Sequence, residues 1–461
     1  MVVVAVSVML MSSCVPKAFQ KQNLSREVVD IKSITKLKAL QSDDLLSPEV
    51  MEKDFTFLID RINEIHPDPM RNLDGRWDKL ILETQSHFKK PLTTGEYAIH
   101  LMSFISQLKD AHTVINPTNM IMKQLPVRME WVEGDLIVTD SNDKEICKGD
   151  SVIMIGNQSE KDILVYLNKI ISAENEYWVK QIGAHFLQME PFLKELSAVK
   201  NNTVQLTVRR SNEQLVVPIK LTDGRVSSQK QADHPWFSWN VNFKEKIGYF
   251  YIGESRITAE YEEAVNKFFN EVLEKQIGSI LIDLRSNSGG DSRVVDPFFQ
   301  HMPITYYDNF YGTIKYSKTA NREREYGNKK GKITEKQKIA VNKQQKPIYP
   351  GHVYILTGPK TFSSGNDFAV KFRDNNLATI IGEPTGNSPS GFGDVIQTSL
   401  PYTKFVVGIS HKEFKRPDAT LDQKESLFPD IWLERKKDDL FLDSDGQLKR
   451  AFTMIGKLNS K

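Results

Sequence analysis

The stretch Ser279-Ile280-Leu281-Ile282-Asp283-Leu284-Arg285-Ser286-Asn287-Ser288-Gly289-Gly290-Asp291 decides the fold class. Its first half is a near-continuous apolar run, the pattern of a strand covered on both faces. A polar, glycine-containing turn follows directly. In open α/β sheets the loops at the carboxyl ends of strands form the ligand crevice. The paired Gly289 and Gly290 let a backbone N–H approach a substrate closely, although a tight structural turn would use the same residues. Outward from this segment the text alternates. Ile247-Gly248-Tyr249-Phe250-Tyr251-Ile252 reads as a strand, 258–273 as a helix, 353–357 as a strand, 364–374 as a helix and 378–381 as a strand. Such alternation predicts a layered α/β core over residues 246–461.

The chain before this core reads differently. Ser47-Pro48-Glu49 is a helix start, with a capping residue followed by Pro at the first helical position. Phe55, Leu58, Ile59, Ile62 and Ile65 follow at spacings of three and four. Further helices are predicted over 77–88 and 94–108, giving a small helical domain over 47–120. That domain ends in Lys109-Asp110-Ala111-His112-Thr113-Val114-Ile115, which puts His112 at a helix–strand boundary. Short strands occupy 121–225. The unit Lys148-Gly149-Asp150-Ser151-Val152-Ile153-Met154-Ile155-Gly156 resembles the strand–turn of PDZ domains, and any small antiparallel β domain gives a similar pattern. A helical stretch over 173–196 separates it from the alternating strand 204–210. Residues 226–245 read as a polar linker, and the Lys/Gln/Asn/Arg-rich 321–345 as a solvated loop. The expected class is therefore multidomain α/β (α+β): a helical domain, a PDZ-like module and an α/β core.

Composition bounds the function. The chain has 461 residues, 39% hydrophobic and 26% charged, the balance of a globular protein. A net charge of +2 without clustered basic residues gives no nucleic-acid footprint. Residues 1–11 are uncharged and almost wholly apolar, too short to span a bilayer (about 20 residues are needed) but suited to an export signal. Ser12-Ser13-Cys14 then resembles a bacterial lipoprotein cleavage site, with Cys14 as the lipidated residue; a plain signal peptide or a mis-assigned start are the other readings. The expected order is signal peptide 1–14, tether 15–46, and a protein at the outer face of the bacterial cell membrane or secreted. Its membrane contact would be only through the lipid anchor. Cys147 is the other cysteine; with Cys14 lipidated it has no partner, so no disulfide framework is expected, and no thiolate zinc site. No cofactor or metal is expected.

Two further segments carry chemistry. Thr361-Phe362-Ser363-Ser364-Gly365-Asn366-Asp367-Phe368 joins a strand to a helix, so Ser363 lies among unpaired backbone N–H groups that stabilise negative charge. A serine there is more often just a cap. Ile380-Ile381-Gly382-Glu383-Pro384-Thr385-Gly386-Asn387-Ser388-Pro389-Ser390-Gly391 is a strand running into a Gly/Ser/Pro loop. In order and context the three segments together resemble the tail-specific (C-terminal processing) serine peptidase family, which includes the tricorn core, over residues 246–435. The preceding helical and PDZ-like modules have the same order as in that family.

This resemblance implies a crotonase/ClpP-like βαβ-spiral core. It also implies a serine endopeptidase acting through an acyl-enzyme on unfolded or C-terminal segments of exported proteins. Ser363 matches the nucleophile, Ser364 supplies one oxyanion N–H, and Gly289 the other, with Gly290 as the near alternative. Many members use a Ser–Lys dyad, but Ser388 stands at the place of that lysine and the loop has no other. A serine hydroxyl needs a neighbouring base. The tricorn-like branch takes a histidine from the N-terminal part of the chain, which makes His112 the candidate and His411 the reserve. It also supplies a glutamate shortly before a Pro-Asp; Glu425 precedes Pro429-Asp430 and is the candidate to orient His112, with Asp422 close by. Two alternatives stay open: a catalytically inactive peptide-binding lipoprotein, and a crotonase-like acyl-CoA enzyme, for which no phosphate-cradling signature is seen.

Overall fold

A computed structural model describes residues 28–30, 39–117, 120–223, 235–242, 245–334, 336–342, 346–421, 425–442 and 444–459. The export signal, Cys14, most of the tether and Asp422 lie outside the described residues. Among the described residues no helix is long and apolar enough to cross a membrane.

The helical block forms as its spacing predicts. Helix α1 (Pro48–Ile65) is capped by the Ser47 side chain, which accepts from the Val50 N–H, and it buries Phe55, Leu58, Ile62 and Ile65. Helices α2 (Trp77–Ser86) and α3 (Thr94–Ser106) follow, the latter opened by a reciprocal Thr93–Glu96 capping box. A short strand, β1 (Val114–Asn116), leaves this block.

The middle module is an antiparallel sheet of β2 (Val127–Val132), β3 (Asp135–Ser141), β4 (Ser151–Ile155), β5 (Thr203–Arg210) and β6 (Glu213–Lys220). Each strand pairs with the next along the chain. Between β4 and β5 lie α4 (Glu160–Ile170), α5 (Glu176–Phe186) and α6 (Glu190–Glu195), so the expected 173–196 stretch is two helices and not one. Phe55 and Phe104 of the helical block, Val138 and Leu206 of this sheet, and Val407 of the core share one hydrophobic cluster. The sequence boundary near residue 120 thus separates two patterns, not two cores.

The core is a six-stranded sheet in the order β7 (Phe237–Asn242), β8 (Ile247–Ile252), β9 (Ser279–Asp283), β10 (His352–Thr357), β11 (Thr379–Gly382) and β14 (Ile431–Trp432). All pairs are parallel except β7 with β8. Strand β7 occupies part of the expected linker. Phe237, Trp239 and Val241 alternate with polar residues and pack one face on the core, as an edge strand should. Strand β9 is buried throughout. Its Ile280 and Ile282 face a cluster with Phe268 of α7 (Ala259–Glu274) and Phe368 of α8 (Ser364–Asp374), while Leu281 faces Ala451 and Ile455 of α9 (Gly446–Asn459). Each such side chain contributes about 1.5–3 kcal/mol by leaving water. A hairpin not anticipated from sequence, β12 (Gly391–Ser399) with β13 (Val406–Lys415), stands beside the sheet. Strand β1 pairs with β13, Ile115 opposite Val407, and so ties the His112 turn to the core.

Candidate active site

Ser363 sits between β10 and α8, past the carboxyl end of the central strands. Its turn is fixed to the other two motif loops. Thr361 Oγ1 donates to Leu284 O at 2.9 Å and accepts the Gly358 N–H at 3.0 Å. The Phe362 N–H donates to Asn287 O at 2.9 Å, and the Gly386 N–H to Thr361 O at 2.9 Å. The Ser363 N–H donates to Asn387 Oδ1 at 2.7 Å.

Ser363 itself has φ 52° and ψ −125°. A non-glycine residue in such a region is strained by about 1–3 kcal/mol and persists only where its surroundings over-determine it. It occupies the cap position of α8, yet its side chain makes no capping bond. A capping serine would accept an N–H of the first turn, so the cap reading does not explain it. Gly289 faces it closely: a Cβ at Gly289 would lie 2.7 Å from Ser363 Cβ and 3.2 Å from its Oγ.

Three backbone N–H groups were expected near this serine, and they are not equivalent. That of Gly289 donates to Asn287 Oδ1 at 2.9 Å. Those of Gly290 and Ser364 meet no acceptor among the described residues, and the Ser364 Oγ donates to Gly290 O at 2.8 Å, locking the two loops together. Gly290, not Gly289, is the glycine with an unclaimed donor.

The histidine side is assembled from elsewhere. Asp110 is the hub of its turn. Oδ1 accepts the His112 N–H at 2.9 Å, and Oδ2 accepts from Thr113 Oγ1 at 2.5 Å and Ser410 Oγ at 2.7 Å and lies 3.2 Å from His66 Nε2. Burial would raise the Asp110 pKa, but the bond and charge of His66, the charge of His112 and the Thr113 bond outweigh it, holding the carboxylate well below its usual range. His112 is 8% exposed, and its ring packs on Phe362 with centroids 4.5 Å apart. Trp178 of α5 also stacks on Phe362, at 4.1 Å and 14°. Burial lowers the His112 pKa, against the charges of Asp110 and Asp394, so the imidazole is neutral near pH 7. Its Nδ1 is buried without a hydrogen bond among the described residues, 4.0 Å from Asp110 Oδ1. No hydrogen bond joins its ring to Ser363 among the described residues; Phe362 is the link between them.

The segment before α5 clamps this turn. Ser172 Oγ donates to Asp110 O at 2.7 Å and accepts the Asp110 N–H at 3.1 Å. The Ala111 N–H donates to Glu174 Oε1 at 3.3 Å, and Asn175 Nδ2 donates to Gly386 O at 3.1 Å and Glu425 O at 2.8 Å. Burial, and then the Asp110 charge, pushes the Glu174 carboxyl up to about 8. Asp110, His112 and Glu174 each bring one donor atom within 4.8 Å of the others. A tetrahedral metal about 2.1 Å from its ligands holds them only about 3.4 Å apart, and Asp110 is already engaged, so the trio suits proton sharing better than metal binding.

The remaining candidates fall elsewhere. Glu425 is exposed and only its backbone carbonyl meets the site, which corrects its expected place beside His112. The cause is local: Ser426 Oγ donates to Thr385 O and the Leu427 N–H to Thr385 Oγ1, so these two residues face inward. Both His411 nitrogens are engaged, Nδ1 by Asp394 O and Nε2 by the Tyr326 hydroxyl. Ser388 donates to Ser390 O. A cleft of about 480 Å³ is lined by His352, Ala378 and Thr379 at the opposite end of the strands from Ser363. Sequence reasoning missed Glu174, Trp178 and Asn387. Only Asn387 had a local signal, a polar residue inside a quoted motif loop.

A parallel α/β core with a strained serine at a strand–helix turn, glycine loops against it and a buried imidazole nearby defines the class as a serine-type peptidase. The profile of peptidase family S41 matches residues 246–432, so the α/β core is similar to the peptidases of that family. Mature CPAF superposes with a TM-score of 0.66 at 13% identity, covering 90% of this chain and 97% of that one. CPAF complexed with lactacystin gives 0.64 at 14% identity, over 90% and 98%. The photosystem II D1 C-terminal processing protease gives 0.43 at 13% identity, over 86% and 99%. No curated protein matches the sequence. At these identities the CPAF likeness speaks for the fold alone, and it runs through the helical block and middle module as well as the core.

Proposed function

We propose that the chain is a serine endopeptidase that hydrolyses peptide bonds in unfolded or C-terminal segments of exported proteins through an acyl-enzyme on Ser363. The observation that carries this reading is Ser363 itself: a serine at a cap position that caps nothing, held at φ 52° by an Asn387 bond. His112 takes the Ser363 proton as the Oγ–C bond forms, after the ring has closed the remaining gap; catalytic hydrogen bonds are often long before substrate binds. The oxyanion is held by the Ser364 and Gly290 N–H groups, each such donor being worth about 2.7–4 kcal/mol. The PDZ-like sheet captures an extended chain by strand addition, and Cys14 anchors the protein by lipid at the outer face of the cell membrane. The test is hydrolysis of an unfolded protein by the wild-type chain and by Ser363→Ala, with mass spectrometry of the acylated serine. Equal turnover by both removes Ser363. No turnover by either favours the inactive peptide-binding reading, which the missing lysine and the open Ser363–His112 gap support.

A further inference from the structure

We infer that Glu174, brought in by the middle module, is the residue that orients His112 and sets which ring nitrogen carries the proton, so that the base of this site is completed from outside the peptidase core. The inference rests on the peptidase reading with His112 as base.

Two unpartnered polar atoms carry it. His112 Nδ1 and Glu174 Oε2 are both buried and both without a hydrogen bond among the described residues. A donor atom of each lies within 4.8 Å of the other. Buried polar atoms without partners are rare and costly, and here the two belong to residues whose side chains approach each other. The rival acceptor, Asp110, already takes the His112 N–H on Oδ1 and holds three further groups on Oδ2. It fixes the turn. Glu425, the residue expected from sequence, is exposed. Glu174 is held in place by its own Oε1 bond to the Ala111 N–H and by the Ser172 clamp on Asp110, so closing the gap requires rotation and not refolding.

The proton arithmetic follows. When the Glu174 carboxyl is protonated it donates to Nδ1, which leaves the imidazole proton on Nε2 and blocks that nitrogen as a base. When the carboxyl is ionised it accepts Nδ1–H, and Nε2 presents its lone pair to Ser363. In the reaction the Oγ–H proton goes to Nε2 as the Oγ–C bond forms. The same proton then passes to the leaving amine as the C–N bond breaks, and Nδ1–H stays on the carboxylate. The competent form has one proton fewer, so activity rises with pH through the titration of the pair. The charged groups facing it are Asp110 on the turn, with His66 behind it, and Asp394 on β12, itself paired with Arg324 and Lys412.

The full chain and its Glu174→Ala, Glu174→Gln and Ser363→Ala variants are compared for kcat and KM between pH 5 and 10 on an unfolded protein substrate. Glu174→Ala is expected to lower kcat at least 10-fold with KM within about twofold. Glu174→Gln keeps a neutral hydrogen-bonding group, so it retains more activity and moves the acid limb down by at least one pH unit. Variant profiles superimposable on wild type overturn the inference and leave the peptidase reading standing. If the wild type shows no Ser363-dependent turnover, the peptidase reading fails separately. The inference is then read by ¹⁵N NMR of the His112 imidazole: Nδ1–H above pH 8 in wild type and its loss in Glu174→Ala support it, and an unchanged tautomer overturns it.

Discussion

On the serine side of the site the hydrogen bonds that pin the turn come from the α/β core; on the histidine side they come from three parts of the chain, with Ser410 and Phe362 of the core, the helical block and the middle module all taking part. Ser363 is held by Asn387, and its turn by Leu284, Asn287 and Gly386, all of them at the carboxyl ends of adjacent parallel strands. The result is over-determined enough to keep a serine in a strained region. His112 comes from the helical block, reaches the core through β1 on β13, and is clamped by residues of the middle module. Its ring is located by packing on Phe362, not by a hydrogen bond. The contrast teaches that the nucleophile is preformed, while the base depends on three parts of the chain docking together. Mutations should therefore act locally, on kcat and on the turn itself, on the serine side and through domain packing as well on the histidine side.

The largest expected effect is at the serine. Ser363→Ala should lower turnover by on the order of 10⁴-fold or more while leaving the circular dichroism spectrum unchanged. A residual rate within tenfold of wild type would break the serine side of the comparison. Next comes the base. His112→Ala should cost about 10²–10⁴-fold in kcat, the range for a positioned general base. His411→Ala, at a residue whose two nitrogens are engaged by Asp394 and Tyr326, should lower stability more than turnover. The reverse pattern in the pair would move the base to His411.

A smaller effect is expected where the serine turn is pinned. Asn387→Ala leaves the Ser363 N–H without its acceptor, at a cost of about 1–3 kcal/mol for an unsatisfied buried donor. If the strained turn relaxes as a consequence, kcat falls about 10- to 100-fold with KM little changed. A variant that binds substrate worse but turns it over at the wild-type rate would show that Asn387 serves the substrate and not the nucleophile.

The same contrast explains what could be read beforehand. The serine side was legible because its parts are local: a buried strand, two glycines, a strand–helix junction and a polar loop each have a signature within about ten residues. Helices α1 to α3 were legible through caps and spacing, and β7 was hidden only because its alternation is short and lies in a polar stretch. The histidine side was legible only as far as its own turn, Asp110 to Thr113. Nothing in the sequence near Glu174 says that it meets the turn at Ala111, since that contact depends on how the middle module docks. Glu425 was placed by its distance from a Pro-Asp, and the inward bonds of Ser426 and Leu427 turned its side chain to solvent. Between Gly289 and Gly290 the sequence left a choice that depended on the Asn287 side chain, whose Oδ1 takes the Gly289 N–H.

The smallest effect tests whether the serine side really stores strain. At φ 52° and ψ −125° an alanine is as crowded as the serine, whereas glycine is not. Ser363→Ala removes the hydroxyl and keeps the strain; Ser363→Gly removes both. Glycine also has more freedom to lose on folding, roughly 0.5–1 kcal/mol, which offsets part of the relief of about 1–3 kcal/mol. The glycine variant should therefore be more stable than the alanine variant by about 1 kcal/mol, seen as a higher urea midpoint at constant slope. Both remain inactive, so the difference reports on the backbone and not on chemistry. If glycine is the less stable of the two, the turn is comfortable for an ordinary residue. The serine would then owe its position to the surrounding hydrogen bonds and not to a backbone forced against its preference.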